Sequence, residues 1–243
     1  MLHSNRPMLV KFLVPSLFIS MKAQTKKPVA GKLSSHQIRL IGGLWKRTSL
    51  SVICAEGLRP TPDRVRETVF NWLNHLIDGH WQSLRCLDLF AGSGALGFEA
   101  ASRGAAHVTM VECHTPAFRQ LQQVKEKLGA AQVELLRADA LTLATSMLAR
   151  QQRFDLIFLD PPFHQGVLEK ILPLCAQLLT DRGLLYVEAE HALTPNMPQS
   201  ESAESKLSFL QDWRVTRADK AGSVHFHILQ RNILAPDMPE NQA

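Results

Sequence analysis

Asp88-Leu89-Phe90-Ala91-Gly92-Ser93-Gly94-Ala95-Leu96-Gly97 decides how the rest of the chain is read. It begins at the end of an apolar segment of strand length, Arg85–Phe90, and runs into Ala95–Arg103, which has helical character. Glycines at a strand-to-helix turn let a ligand approach the backbone, and the helix start offers unpaired N–H groups. The spacing Gly92-x-Gly94-x-x-Gly97 also fits the loop of dinucleotide-binding enzymes. Asp88 decides between these uses, because a carboxylate there repels a pyrophosphate and suits the ammonium of a bound amino acid. The bland reading of the glycines is a tight turn that holds no ligand. The candidate binding loop comprises Asp88, Phe90, Ala91, Gly92, Ser93 and Gly94.

Downstream, the pattern alternates strand and helix. Strands are expected at His107–Glu112, Val133–Arg137, Phe154–Leu159 and Gly183–Glu190. Helices are expected at Ala117–Leu128, Leu141–Gln152 and Val167–Leu179, with a closing hairpin of Trp213–Ala218 and Val224–Leu229. Such alternation predicts an α/β fold: a mostly parallel, seven-stranded sheet with helices on both faces. Upstream, Val65, Val69, Phe70, Leu73 and Leu76 recur at helical spacing. Ile38–Ile41 and Trp45–Val52 flank Gly42-Gly43 and read as a small β-hairpin.

Two further acids end strands. Glu112 closes the second strand of the alternation, where a carboxylate can take both hydroxyls of a ribose. Asp139, followed by Ala140, lies after the third and can accept from an adenine amine. Asp88, Glu112 and Asp139 then face one crevice, outside the carboxyl ends of the strands, where open α/β sheets bind ligands. This arrangement resembles the S-adenosylmethionine site of the Rossmann-like class I methyltransferases.

Asp160-Pro161-Pro162-Phe163 follows the strand Phe154–Leu159. Two successive prolines have no N–H to donate, so the turn is stiff and its carbonyls point outward. A carboxylate beside such a carbonyl gives two acceptors on a rigid frame, the complement of the two donors of a base –NH2. An aromatic ring two residues on can stack on a planar base. Holding both amine hydrogens between Asp160 and the Pro161 carbonyl favours a pyramidal nitrogen, and transfer then rests on positioning and electrostatics. The motif resembles the [Asn/Asp/Ser]-Pro-Pro-[Tyr/Phe] signature of amino-group methyltransferases. The Pro-Cys of a cytosine-C5 enzyme is absent from this position.

Composition sets bounds on this reading. At 243 residues the chain has room for one α/β domain and a small appendage. Its four cysteines, at 54, 86, 113 and 175, lack zinc-knuckle spacing and are expected to be reduced thiols in a cytoplasmic protein. The net charge of +5 is unevenly placed: residues 1–66 hold twelve Lys/Arg against two acids, and residues 67–243 hold fifteen against twenty. A basic arm on a mildly acidic body suits a polyanionic partner, although a solvated tail has the same composition. The apolar run Met8–Ile19 carries Lys11 and Pro15 and is too short to span a bilayer. Residues 1–20 are expected to be an extension ahead of a start at Met21.

The N-terminal block narrows the class. Ile38-Arg39-Leu40-Ile41-Gly42-Gly43 and Leu58-Arg59-Pro60-Thr61-Pro62-Asp63-Arg64-Val65-Arg66-Glu67-Thr68-Val69-Phe70-Asn71-Trp72-Leu73 resemble the bacterial 16S rRNA guanine-N2 methyltransferases known as the RsmD family. The resemblance spans about residues 38–231 of the chain, with Gly222, Val224 and Arg231 fitting the family's closing hairpin. Residues 1–20 have no counterpart, and Ser51–Glu56 and His164 depart from the family pattern. The resemblance implies methyl transfer from S-adenosylmethionine to the N2 amine of one guanine of 16S rRNA. The expected substrate is the 30S subunit or an assembly intermediate. It implies that Asp160, Pro161, Pro162 and Phe163 are catalytic, and that Thr61 and Arg64 join Asp139 and Ala140 at the cofactor. Arg39, Lys46, Arg47, Arg59 and Arg66 would meet RNA. The expected organisation is a lead over 1–37, a basic hairpin extension over 38–60, the methyltransferase domain over 61–231 and a tail over 232–243. A monomer without metal or membrane association is expected.

Two other readings compete. An adenine-N6 methyltransferase would share the motif, but sequence-reading DNA enzymes usually carry a separate recognition module to extract their base. The loop between Ala192 and Lys206 has only about a dozen residues, too few for a module of ordinary domain size. A non-catalytic RNA-binding assembly factor would be expected to have a damaged motif, and this one is intact.

Overall fold

The computed structural model describes residues 36–52, 62–193 and 208–232. The expectations for the leading segment, Cys54, Arg59, Thr61, most of the 192–206 loop and the tail lie outside these residues. Two short strands, β1 (His36–Arg39) and β2 (Ser49–Val52), pair antiparallel ahead of helix α1 (Asp63–Leu76). There follow β3 (Arg85–Asp88), α2 (Ala95–Ser102), β4 (His107–Val111), α3 (Thr115–Leu128), β5 (Val133–Leu136) and α4 (Ala140–Ala149). The chain continues through β6 (Phe154–Leu159), α5 (Val167–Leu178), β7 (Leu179–Ala189), β8 (Trp213–Ala221) and β9 (Val224–Arg231).

The main sheet has the order β5-β4-β3-β6-β7-β9-β8. β3 to β7 run parallel, and β9 lies antiparallel between β7 and β8. This is the seven-stranded α/β sheet that the alternation predicts. The chain builds outward from β3 through β4 to β5, then returns to the other side of β3 with β6. A switch point therefore falls between β3 and β6, where a crevice opens at the carboxyl ends of the strands.

Each face of the sheet has its own core. On one, Val69, Phe70 and Leu73 of α1, Phe98 of α2 and Leu121 of α3 pack with Cys86, Phe158 and Tyr186. On the other, Ala144 and Met147 of α4 and Leu172 and Cys175 of α5 pack with Leu87, Ile157 and Leu185. Period-two alternation in the strands thus sends successive residues into different cores. Cys86, Cys113 and Cys175 are free thiols, the first and last buried.

Several boundaries differ from the sequence-based expectations, most by one to three residues. Leu44–Arg47 is a turn, so Trp45–Thr48 is not part of a strand; φ is positive at Gly43, just before the turn, and at Arg47, its last residue. The reason is tertiary: Leu44 N–H donates to the Ser102 carbonyl at 2.7 Å and Trp45 N–H to Ser102 Oγ at 2.9 Å, so α2 takes donors that a ladder would use. At Gly43 a Cβ would lie 1.8 Å from the Ser102 oxygen, so only glycine fits against the helix end. β7 begins four residues early, because Leu179 pairs with Phe154 ahead of an irregularity in the register. β8 extends to Ala221 through unbroken pairing of Arg217–Ala221 with β9 beyond an irregularity at Thr216.

Candidate active site

The glycine loop leaves β3 and is fastened on both sides. Leu89 N–H donates to the Phe158 carbonyl of β6 at 3.2 Å, and Ala91 N–H to the Val111 carbonyl of β4 at 2.9 Å. Gly94 caps α2 with φ of 81°, and a Cβ there would stand 2.6 Å from the Phe98 ring. The left-handed backbone and the lack of space both require glycine.

Asp88 is 1% exposed, and its Oδ2 accepts the Gly97 N–H at 3.1 Å. Burial pushes its carboxyl up to about 7, opposed by the amides of Gly97 and Phe90 and reinforced by the charge of Glu112. A cationic group placed beside it would favour its charged form. Glu112 is also buried, and its two oxygens accept the N–H of Gly92 at 2.8 Å and of His114 at 2.6 Å. The carboxylate beyond β4 thus holds the loop beyond β3 in place. Asp139 caps α4: its Oδ1 accepts from Thr142 N at 2.9 Å and Thr142 Oγ1 at 2.8 Å, and these bonds lower its carboxyl below the ordinary range. Asp88 ends β3, Glu112 follows β4 by one residue and Asp139 follows β5 by three, on neighbouring strands.

Asp160 leaves the end of β6, beside β3. Asp88 pairs with Phe158, and Phe158 with Tyr186. Parallel partners share a face, and residues two apart along a strand do so as well. Asp88, Asp160, Tyr186 and Glu188 therefore belong to one face. Tyr186 and Glu188 are buried, and Tyr186 Oη donates to Glu188 Oε1 at 2.8 Å. Burial, then the charges of Glu188 and Asp88, push the Asp160 carboxyl well above its usual range. The tyrosine hydroxyl is likewise pushed up by burial and then by Glu188 and Asp160. Pro161 is buried, while Pro162 is exposed and Phe163 partly so. The motif thus presents an acid and an aromatic ring on a loop without donors at two successive residues.

The basic residues divide. Arg39, Lys46, Arg47 and Arg64 are exposed. Arg66, expected at RNA, is a correction: it is fully buried, and its Nη2 donates to the Arg39 carbonyl at 2.9 Å and to Asp63 Oδ1 at 2.6 Å. Its guanidinium ties α1 to β1 and offers no surface to a phosphate. Position 66 also stands three, four and seven residues before Val69, Phe70 and Leu73, on the stripe that faces the core. That periodicity was the available signal.

Sequence reasoning also missed Glu99, Ser102, Tyr186 and Glu188. Glu99, with no exposed surface, accepts the N–H groups of Ile41 at 2.7 Å and Gly42 at 2.8 Å, and pairs with Arg103 at 2.8 Å. Its signal was an acid inside Phe98–Ala101, a helix segment that is otherwise apolar. Glu188 carried a similar one, an acid in the apolar strand Leu184–Ala189.

The fold and site define the class as the Rossmann-like, S-adenosylmethionine-dependent methyltransferases. A family model described as "Conserved hypothetical protein 95" matches residues 38–230. Ribosomal RNA small subunit methyltransferase D of Escherichia coli (strain K12) is 39% identical over 210 residues, covering 85% of this chain and 95% of the relative. The protein of the same name from Haemophilus influenzae is 36% identical over 198 residues, covering 80% and 94%. The solved structure of the putative methyltransferase yhhF from Escherichia coli superposes with a TM-score of 0.64 at 37% identity, covering 81% of this chain and 98% of that one. The chain belongs to the family of ribosomal RNA small subunit methyltransferase D.

Proposed function

We propose that this protein transfers a methyl group from S-adenosylmethionine to the exocyclic N2 amine of one guanine in 16S rRNA. The substrate is the 30S subunit or an assembly intermediate. The observation that carries the reading is Asp160-Pro161-Pro162-Phe163 at the end of β6, on the face it shares with buried Asp88 across the switch point. The names of the curated relatives support the RNA assignment.

The donor set suits this cofactor. Asp88, buried and with a raised carboxyl, takes the ammonium of the methionine moiety, which restores its charged form. Glu112 and Asp139 face the ribose and adenine, and Phe90, Ala91, Gly92, Ser93, Gly94 and Ala140 line the path between them. Arg64, exposed in the first turn of α1, serves the methionine end, with Thr61 nearby in the sequence. When bound, the sulfonium supplies an electrophilic methyl group.

The chain's own residues prepare the amine. Asp160 and the Pro161 carbonyl accept its two hydrogens, so the nitrogen lone pair is turned out of conjugation with the base. Phe163 stacks on the base and Pro162 stiffens the turn. As the nitrogen becomes cationic, Asp160 takes the released proton, a role for which its raised carboxyl is suited. Arg39, Lys46 and Arg47 on the hairpin, with Arg59, meet the RNA backbone. The protein is taken to work as a monomer in the cytoplasm; no helix among the described residues is long and apolar enough to cross a membrane.

Labelled methyl transfer to 30S subunits lacking their native N2-methylguanine, followed by nucleoside analysis, tests the substrate. Label in N2-methylguanosine at a single 16S position is the expected result. Label in adenine of DNA or another RNA would replace guanine with adenine-N6 as the target. Absence of transfer to any nucleic acid would favour an assembly factor.

A further inference from the structure

The Asp160–Phe163 loop has few ways to be fastened. Pro161 and Pro162 contribute no N–H, so two successive residues beyond β6 cannot be pinned through their own donors. His164, the residue after Phe163, adopts a left-handed backbone with φ of 62°. Such a conformation in a residue other than glycine persists when its surroundings hold it. Here one carboxylate does so. Glu190, one residue past the end of β7, accepts the His164 backbone N–H through Oε1, and its Oε2 lies 2.8 Å from His164 Nδ1. The His164 and Phe163 rings meet edge to face, with centroids 6.4 Å apart. Glu190 is about two-thirds shielded, with 29% of its side chain exposed, whereas 83% of the His164 side chain faces solvent. β7 flanks β6 in the sheet, so the tie closes the catalytic loop onto the strand beside it.

We propose that Glu190 is a positioning residue for methyl transfer, holding Phe163 and the Asp160-Pro161-Pro162 turn in register by binding both the amide and the imidazole of His164. The proposal rests on the assignment of this loop to the target base. Glu190 touches no reacting atom; it acts through the backbone of the loop that does. The Asp88–Glu112–Asp139 side of the crevice is fastened separately, by bonds to Gly97, Gly92, His114 and Thr142. Loss of Glu190 should therefore separate transfer from cofactor binding.

Amide hydrogen exchange on the enzyme alone reads the tie directly. Exchange at His164 should speed at least about tenfold in Glu190→Ala. Misplacement of a reacting group by about an ångström costs up to a hundredfold. At saturating 30S substrate, kcat of Glu190→Ala should accordingly fall about ten- to a hundredfold, with the Kd for S-adenosylmethionine little changed. Glu190→Gln keeps an acceptor oxygen for the amide and should recover a large part of both effects. Equal His164 exchange in wild type and Glu190→Ala would overturn the proposal. So would faster exchange with unchanged kcat, or a loss of kcat that follows loss of cofactor affinity. If wild type transfers no methyl group to 30S subunits, the substrate assignment fails, and the exchange comparison still decides whether the tie exists.

Discussion

Glu99, buried in α2, accepts the backbone N–H of Ile41 at 2.7 Å, across 58 residues of sequence. With the Gly42 N–H on its other oxygen and Arg103 alongside, this carboxylate joins Ser102 and Arg66 in docking the N-terminal hairpin on the methyltransferase core. Arg103 in turn lies over the Phe70 ring at 4.9 Å, which links the same junction to α1. Glu99→Ala would leave two amides and a guanidinium without their acceptor. A cost of about 3 kcal/mol or more is expected, from the penalty for stranded buried donors. Denaturant unfolding should show it, together with weaker capture of RNA substrate as the hairpin loosens. An unchanged midpoint would mean that the hairpin docks through other contacts.

Gly43→Ala places a methyl group on the Ser102 carbonyl, where a Cβ would sit at 1.8 Å, and in a left-handed backbone besides. The loop must move away from α2. Thermal unfolding should occur several degrees lower, because a loss of about 1–3 kcal/mol shifts Tm by that much in a domain of this size.

The proposed contact of Asp88 with the cofactor's ammonium predicts pH-dependent binding. Its carboxyl is raised from 3.8 to about 7 in the folded chain, so the native state binds more protons than the unfolded state between these values. Stability without cofactor should fall as pH rises through that window and level off above it. The affinity for S-adenosylmethionine should change in the opposite sense, rising as Asp88 ionises, because the ammonium needs the charged form. Asp88→Asn should weaken binding on the order of a hundredfold, the contribution of a charge-assisted bond, and flatten its pH dependence between about 5.5 and 7. Calorimetry across that range checks both.

Much of this architecture was readable from the residues. Asp88 with its glycines, the acids at strand ends and Asp160–Phe163 announced themselves because each pairs an unusual residue type with a definite place in the alternation. The hairpin was harder. Trp45–Thr48 has the composition of a strand, but the N–H groups of Leu44 and Trp45 go to Ser102, a partner far away in sequence. Arg66 was misread because arginines on amphipathic helices are normally solvated, and its place on the apolar stripe counted for less than its charge. Glu99 and Glu188 are buried acids whose meaning depends on which strand or loop lies opposite, and no local pattern carries that information.

The proposed contact of the exposed hairpin cations with RNA predicts a salt-dependent capture step. Replacing Arg39, Lys46 and Arg47 together with glutamine should leave the fold intact, since all three side chains face solvent. The slope of log K against log salt for RNA binding should become shallower by about 2, as expected for three lost contacts to single-stranded phosphates. An unchanged slope would place the RNA on another surface.

The raised Asp160 carboxyl predicts an acidic limb in the pH–rate profile above the ordinary carboxylate range. Glu188→Gln removes a neighbouring charge that holds Asp160 up, and should move that limb to lower pH. A limb that stays in place would show that another group controls the rate.

The central claim is that Asp160 handles the amine while Asp88 and its neighbours handle the cofactor. The direct measurement sets wild type beside Asp160→Ala, with S-adenosylmethionine affinity by calorimetry and single-turnover methyl transfer to 30S subunits on the same preparations. Transfer should fall by about a thousandfold or more, with cofactor affinity within about threefold of wild type. Transfer that persists, or a cofactor affinity that collapses along with it, would contradict that division of labour.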